Sequence, residues 1–274
     1  MKIRCEICPH ACLLDEGQIG LCRARKNIDG VVFSINYGKI TSIGLDPIEK
    51  KPLAKFMPGS RILSVGSFGC NLACPFCQNY GIAGCGEEIS SKTMLPYELV
   101  EMAVHMVPEG NIGIAYTYNE PLIGIEYVTD CGKLAHERGL KNVLVTNGYV
   151  NPEPLKNLLP LIDAMNIDLK GFTEEFYKKL GGHLEPVKHT IATAAKSCHV
   201  EVTTLVIPGE NDSESEMQAL SSWLAEVDPN IPLHISRFFP RHLYWEKNPT
   251  PIETIHRLVQ VASKNLACVY PGNC

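Results

Sequence analysis

From residue 61 onward the chain repeats one pattern: a short run rich in Val, Ile, Leu or aromatic residues, closed by Gly, Pro, Asn or Asp, then an amphipathic stretch. Strands and helices alternating at this rhythm return by crossovers to one sheet, so the pattern predicts a parallel sheet covered by helices. The runs fall at 61–65, 111–116, 142–146, 164–169, 200–207 and 233–238. Between them apolar residues keep helical spacing, as in Leu99, Met102, Ala103 and Met106 and in Met217, Leu220, Trp223 and Leu224. Ser213 with Glu216, and Thr250 with Pro251 and Glu253, read as capping boxes, in which hydroxyl and carboxylate satisfy orphaned backbone donors. A last helix at 252–264 precedes an apolar 267–270 that reads as one more strand. Six strand-helix units in about 210 residues fall short of a closed eight-fold barrel. The predicted fold class is therefore α/β, a partial (β/α)6 TIM-like barrel over 61–274, with residues 1–60 as a small Cys-rich N-terminal extension. Within that extension the runs at 31–37 and 39–43 flank Gly38 and read as a hairpin or two small strands.

Twelve cysteines raise the question of a disulfide framework. The opening residues Lys2-Ile3-Arg4-Cys5-Glu6 lack the apolar core of a secretory signal, and 274 residues is long for a disulfide-stapled domain. The cysteines are expected to be reduced and the chain cytoplasmic. With 25 Lys and Arg against 30 Asp and Glu, a net charge of −5, no nucleic-acid or membrane-surface partner is expected. No run of about 18 apolar residues is present to form a transmembrane helix.

Directly after the first strand comes Gly66-Ser67-Phe68-Gly69-Cys70-Asn71-Leu72-Ala73-Cys74-Pro75-Phe76-Cys77. Its three thiolates are spaced by three and then two residues, with aromatic Phe76 before the last. A closed zinc site or a fully ligated [4Fe-4S] cluster takes four protein ligands, and this loop supplies three with no histidine in step. The missing ligand is the informative part of the loop, and a zinc knuckle or three buried cysteines is the plainer alternative.

In that position and spacing the loop resembles the signature of radical S-adenosylmethionine (SAM) enzymes. The resemblance implies a [4Fe-4S] cluster held by Cys70, Cys74 and Cys77, whose fourth iron is chelated by SAM; one electron then cleaves the sulfonium to a 5'-deoxyadenosyl radical that abstracts a substrate hydrogen. Tyr118-Asn119-Glu120-Pro121 stands after the second strand, where the superfamily often has Gly-Gly-Glu-Pro, and implies Glu120 and Asn119 as contacts of the methionyl amino group. Thr146-Asn147-Gly148 and Asp168-Leu169-Lys170 close the third and fourth strands and resemble segments of pyruvate formate-lyase activating enzyme. That likeness implies Thr146, Asn166 and Asp168 near the cofactor and Lys170 on its carboxylate. Val145 replaces the aspartate that the activase uses for a monovalent cation. The segment 205–212 resembles the turn near the adenine; Phe76 joins the cofactor contacts, and Arg237 reads as an anion contact. With Asp46-Pro47-Ile48-Glu49-Lys50-Lys51-Pro52-Leu53, the whole order resembles the AmmeMemoRadiSam system radical SAM enzymes and the PflX-type activases over nearly the entire chain, although many members extend beyond the position of Cys274.

Cys5, Cys8, Cys12 and Cys22 place four thiols in eighteen residues, flanked by Pro9, Gly17 and Gly20. They predict a second metal site, zinc or an iron-sulfur cluster, since thiolate softness suits both. His10 lies inside this knuckle and reads as a polar turn residue. Cys131 and Cys198 read as small buried hydrophobes, and Cys85 as approaching the triplet. Two enzymatic functions follow: an activase that installs a glycyl radical on a protein, which requires an open groove, or modification of a small molecule, nucleoside or peptide, which requires a closed polar pocket. A bare electron-transfer module has no use for Glu120 and Lys170. The chemistry implies flavodoxin or ferredoxin as the external reductant.

Overall fold

The computed structural model describes residues 2–274. One eight-stranded sheet organises them: β1 (Ser42–Pro47), β2 (Arg61–Gly66), β3 (Asn111–Tyr116), β4 (Lys141–Thr146), β5 (Ala164–Asp168), β6 (His199–Val206), β7 (Leu233–Arg237) and β8 (Val269–Gly272). The strands lie side by side in chain order, parallel from β2 to β8, with β1 antiparallel to β2 on the edge. The crossovers carry α1 (Pro96–His105), α2 (Ile125–Glu137), α3 (Pro152–Leu158), α4 (Glu174–Lys179), α5 (Leu184–Ala194), α6 (Glu214–Val227) and α7 (Ile252–Ala262). This is the open, partial barrel expected from the alternation, closed on the outside by its helices.

Strand alternation divides the apolar residues between two cores. Leu63, Val65, Ile114, Leu144, Met165, Ile167, Val202, Leu233 and Ile235 face outward against Leu99, Val128, Leu155, Val187, Leu220 and Leu258 of the helices. Ile62, Ala115, Val143 and Ala164 face inward, and the segment between β1 and β2 fills the space between them with Ile48 and Leu53, both fully buried. That segment straps the barrel interior. Asn166 Nδ2 donates to the Pro52 carbonyl at 2.8 Å, and the Ala54 and Lys55 amides donate to Glu201 at 2.9 and 2.7 Å.

Several local expectations change. The runs 31–37 and 39–43 do not pair with each other: Val31–Ser34 pairs with Arg25–Ile28, Lys39–Ile40 with Lys92–Thr93, and Ser42–Pro47 joins the barrel sheet. Ser213 caps α6 by accepting from the Glu216 amide, but the Glu216 carboxylate accepts from the Phe172 amide in the loop after β5, so the box is half formed. Thr250 caps nothing. Its hydroxyl donates to the Val206 carbonyl at 2.6 Å and accepts from the Phe238 amide at 3.3 Å, tying the ends of β6 and β7 together.

Glu201 is the anchor of the strap. Its carboxylate, inaccessible to solvent, meets the Nε2 atoms of His199 and His234 at 2.9 and 2.6 Å besides the two strap amides. Burial pushes this carboxyl up, and the four partners more than offset it, holding the acid at about 2 against an ordinary 4.5. A depressed acid contributes stability above its unfolded pKa and loses it as pH falls through the folded one. Glu201→Gln is expected to cost about 3 kcal/mol in stability, the scale for breaking a buried charged network. Amide exchange at Ala54 and Lys55 in the native chain should accelerate as pH, after correction for the intrinsic rate, falls from 4.5 towards 2. A variant that melts with the native protein, or protection unchanged across that range, would contradict the anchor.

Candidate functional site

The carboxyl ends of the strands meet at one rim, and the cysteine loop emerges there from β2. Gly69 at φ 85° brings the loop against the N-terminal knuckle so tightly that a Cβ would stand 2.4 Å from the Cys22 carbonyl, which only glycine tolerates. The Cys70 amide donates to that same carbonyl at 3.2 Å. Asn119 fixes the loop from β3: its Oδ1 accepts from the Ser67 amide at 2.9 Å, and its Nδ2 donates to the Phe68 and Gly69 carbonyls at 3.1 and 3.2 Å. The Asn119 amide is thus engaged with the loop backbone.

Glu120 is 2% exposed. Its Oε1 accepts from the Leu122 amide at 2.9 Å and the Thr146 hydroxyl at 2.6 Å, and its Oε2 accepts from the Asn147 amide at 2.7 Å. A carboxylate offers about four lone-pair sites, so these three donors leave room for one more. Burial raises the acid to about 7 even so, with the three donors and the Lys170 charge pulling the other way. A cation placed against Glu120 would complete its shell.

Lys170 is the second charged group of the rim. Its ammonium bonds Asp168 Oδ2 at 2.9 Å and lies within electrostatic reach of Cys70, Cys74, Cys77 and Glu120. Burial disfavours its charge, yet Asp168 and the Cys74 sulfur outweigh that and hold the ammonium firmly protonated. Burial likewise pushes the Cys74 thiol up to about 11, and Lys170 lowers it. Such thiols ionise when a metal displaces the proton.

The chain therefore brings Cys70, Cys74, Cys77, Glu120, Thr146, Asp168 and Lys170 to one rim. Phe76 lies beside them in an aromatic wall, its ring parallel to Phe176 at 6.2 Å and packed with Ile207 and Phe238. Asn166 is turned to the strap and Thr203. Arg237 donates from Nε to the Thr250 carbonyl at 2.6 Å and lies over the Phe239 ring. Cys85 donates locally to the Gly81 carbonyl, and Cys131 is fully buried. A cavity of about 820 Å³ opens elsewhere, between Arg4, Glu6 and Ile7 of the extension and Glu126, Asn151 and Pro152 of the helices, and contains none of the rim residues.

Two further groups belong to the site. Asn147 Nδ2 donates to Asn71 Oδ1 at 2.9 Å and approaches Cys70 Sγ at 3.6 Å, so the residue after Thr146 holds the loop and one sulfur together. Tyr118 takes φ 71°, a left-handed conformation costing roughly 1 to 3 kcal/mol in a residue with a Cβ. Its ring lies over Gly66, its hydroxyl donates to Asp46 Oδ2 at 2.9 Å, and the buried Lys51 ammonium bonds the same oxygen and sits 4.8 Å above the ring. The signal was available: Tyr118 occupies a glycine position of the resembled motif and keeps the backbone a glycine would take.

Among the described residues no three His, Cys, Asp or Glu side chains converge on one point as a single metal ion requires. Cys70, Cys74 and Cys77 are free thiols on one loop, the three cysteine ligands that a [4Fe-4S] cluster with one position left to another molecule would take. Glu120 and Lys170, of opposite formal charge, lie within electrostatic reach of these thiols.

Residues 64–220 match the family model of the radical SAM superfamily. An uncharacterized protein of Methanocaldococcus jannaschii is 43% identical over 278 residues, covering 99% of this chain and 81% of its own. The chain belongs to the radical SAM superfamily and is an enzyme of that class. Pyruvate formate-lyase 1-activating enzyme of Escherichia coli (strain K12) is 26% identical over 180 residues, 62% of this chain and 70% of that one. In three dimensions a domain of the pyruvate-formate lyase-activating enzyme from Bacteroides vulgatus superposes with TM-score 0.51 at 19% identity, covering 59% of this chain and 99% of that one. A radical SAM methyltransferase from Sphaerobacter thermophilus gives 0.58 at 15% identity, covering 79% and 67%. These likenesses establish the partial-barrel fold. No helix among the described residues is long and apolar enough to cross a membrane.

Because Asn119 serves the cysteine loop, Asn119→Ala should cost about 1 to 3 kcal/mol, leave the Ser67 amide unpaired, and lower the iron retained after anaerobic reconstitution. Native iron content together with a native melting temperature would show that the clamp is dispensable.

Proposed function

We propose that Cys70, Cys74 and Cys77 hold a [4Fe-4S] cluster and that Glu120 and Lys170 receive the two charged ends of the methionyl group of SAM. When bound, these groups supply one-electron cleavage of the sulfonium and a 5'-deoxyadenosyl radical that takes hydrogen from a substrate. The observation that carries the reading is the pair of opposite charges on the cysteine rim. Glu120 accepts from two backbone amides and the Thr146 hydroxyl, which leaves one of its roughly four lone-pair sites for an ammonium. Lys170 is oriented by Asp168 and supplies a cation for a carboxylate. Thr146 sets the Glu120 carboxylate in place, and the wall of Phe76, Phe176, Ile207 and Phe238 excludes water beside the cluster and suits an adenine.

For the substrate, the similarity to the activating enzyme of Escherichia coli supports an activase that acts on a glycyl site of a protein. A second reading has its own support: buried Lys51 with half-buried Asp46 and Tyr118 forms a polar set adjoining the rim, which suits a small polar molecule. Flavodoxin or ferredoxin is the proposed reductant. The two substrates differ in outcome, since an activase leaves a persistent glycyl radical on its partner, whereas the other enzyme leaves a modified small molecule.

Cys74→Ala should abolish this cluster and SAM cleavage. Glu120→Gln and Lys170→Met should keep the cluster and lose cleavage by about a hundredfold, the scale for a small misplacement in such a site. Anaerobic iron analysis and chromatography of 5'-deoxyadenosine measure both effects. Native cleavage in the two charge variants would remove their assignment, and native cleavage in Cys74→Ala would remove the cluster assignment.

A further inference from the structure

The knuckle of Cys5, Cys8, Cys12 and Cys22 lies outside the site above, and it carries the same ligand devices. Cys5, Cys8 and Cys22 are buried and Cys12 is half-buried, all as free thiols. Cys22 lies within electrostatic reach of Cys5 and Cys12, and Cys8 within reach of Cys5 and Cys22. In the radical loop, the amide two residues on donates to the sulfur at Cys70 and Cys77, from Leu72 and Asn79. The knuckle repeats this arrangement, with the His10 amide on Cys8 and the Ala24 amide on Cys22. Amide donors to sulfur stabilise a thiolate, and they are the outer contacts a metal-bound cysteine needs.

A second observation points to what is held. Arg25 is 4% exposed and lies within electrostatic reach of Cys5 and Cys22. Its terminal nitrogens are spent on the Glu126 carboxylate at 2.7 and 2.9 Å and on the Ile123 and Val32 carbonyls. Its Nε–H is buried with no acceptor. Buried donors are rarely left unpaired, and a sulfur of a bound cluster would satisfy this one. The donors are four cysteines with no histidine among them, the full ligand complement of a [4Fe-4S] cluster. His10 is also occupied elsewhere, its Nε2 2.7 Å from the Asn71 carbonyl.

We propose that Cys5, Cys8, Cys12 and Cys22 hold a second, fully ligated [4Fe-4S] cluster, with the Arg25 Nε–H as a donor to its sulfur, coupled to the first cluster through Asn71 and Asn147. The coupling path is a line of side-chain contacts. Asn71 lies beside the Cys8 sulfur, donates from Nδ2 to the Tyr149 carbonyl at 2.7 Å and accepts from Asn147 Nδ2 at 2.9 Å, and Asn147 Nδ2 approaches Cys70 Sγ at 3.6 Å. With four thiolates no iron is open, so the second cluster binds no SAM and its chemistry is electron transfer. A low-potential carrier protein reduces it by one electron, and it is reoxidised by passing that electron to the first cluster. The coupling rests on the cluster reading above; the second site does not.

The test uses the full chain, reconstituted anaerobically with iron and sulfide. The native protein should carry about eight irons and no zinc, and electron paramagnetic resonance should resolve two reducible clusters of which SAM perturbs one. Combined Cys70→Ala, Cys74→Ala and Cys77→Ala should leave about four irons and the SAM-insensitive signal; combined Cys5→Ala and Cys22→Ala should leave the other. If either variant fails to fold, the native spectrum still decides. Full reduction of the native chain should broaden both signals by spin coupling, which neither variant can show. Arg25→Lys should lower the potential of the SAM-insensitive cluster alone, because donors to sulfur favour the reduced form. One zinc with about four irons, or a single reducible cluster in the native chain, would overturn the site. Two signals without broadening would overturn the coupling, and an unshifted potential in Arg25→Lys would overturn the donor.

Discussion

The rim of this barrel is organised by a buried carboxylate. Glu120 sits where an unpaired charge would cost several kcal/mol, and it is tolerated because three donors from two strand ends meet it. Those donors tie the turn after β3 to the turn after β4. Asn147, fixed in this way, reaches the cysteine loop through Asn71 and Cys70, while Asn119, the neighbour of Glu120, clamps the same loop from its other side. The thiols, the carboxylate and Lys170 are held as one unit, and the Glu120 carboxylate has a lone-pair site left that a positive group would fill. Removing that unit would leave a barrel with a loose cysteine loop.

At the other end of the strands Glu201 does a different job. It is saturated by two histidines and two backbone amides, and its acidity is held at about 2, whereas Glu120 is left near 7. The contrast separates an anchor from a site: the saturated acid stays ionised and fixes the strap, and the undersaturated acid gains from a cationic ligand. The strap in turn delivers Lys51 to Asp46 and, through Asp46, meets Tyr118 within the barrel. Residues 46–55 thus supply both the anchor contacts to Glu201 and the Asp46–Lys51 pair.

The strands and the radical cysteines were legible because each rests on a local pattern. Alternation of apolar runs placed β2 to β7 within a residue or two, and the three-thiol spacing needs no tertiary context. The strap was not legible. Ile48 and Leu53 are isolated apolar residues among charges, and only a barrel lumen waiting to be filled gives them a burial site. Ser42–Pro47 joined the main sheet for the same reason, its pairing with Arg61–Gly66 being set by the strap that connects them. Thr250 looked like a cap because hydroxyl and carboxylate had the right spacing, but the Val206 carbonyl offered a stronger, buried partner. Asn119 was read as a cofactor contact from its motif; that its side-chain amide also clamps the Ser67, Phe68 and Gly69 backbone is something no single sequence position announces.

The central claim is that the three-cysteine cluster presents one iron to the amino-acid end of SAM, guided there by Glu120 and Lys170. The most direct measurement is hyperfine spectroscopy of the reduced holoenzyme with SAM isotopically labelled at its carboxylate and amino group. Direct coupling of both labels to a single cluster, lost from the amino label in Glu120→Gln and from the carboxylate label in Lys170→Met, is the predicted result. A reduced cluster whose spectrum registers neither label in the native enzyme would contradict it.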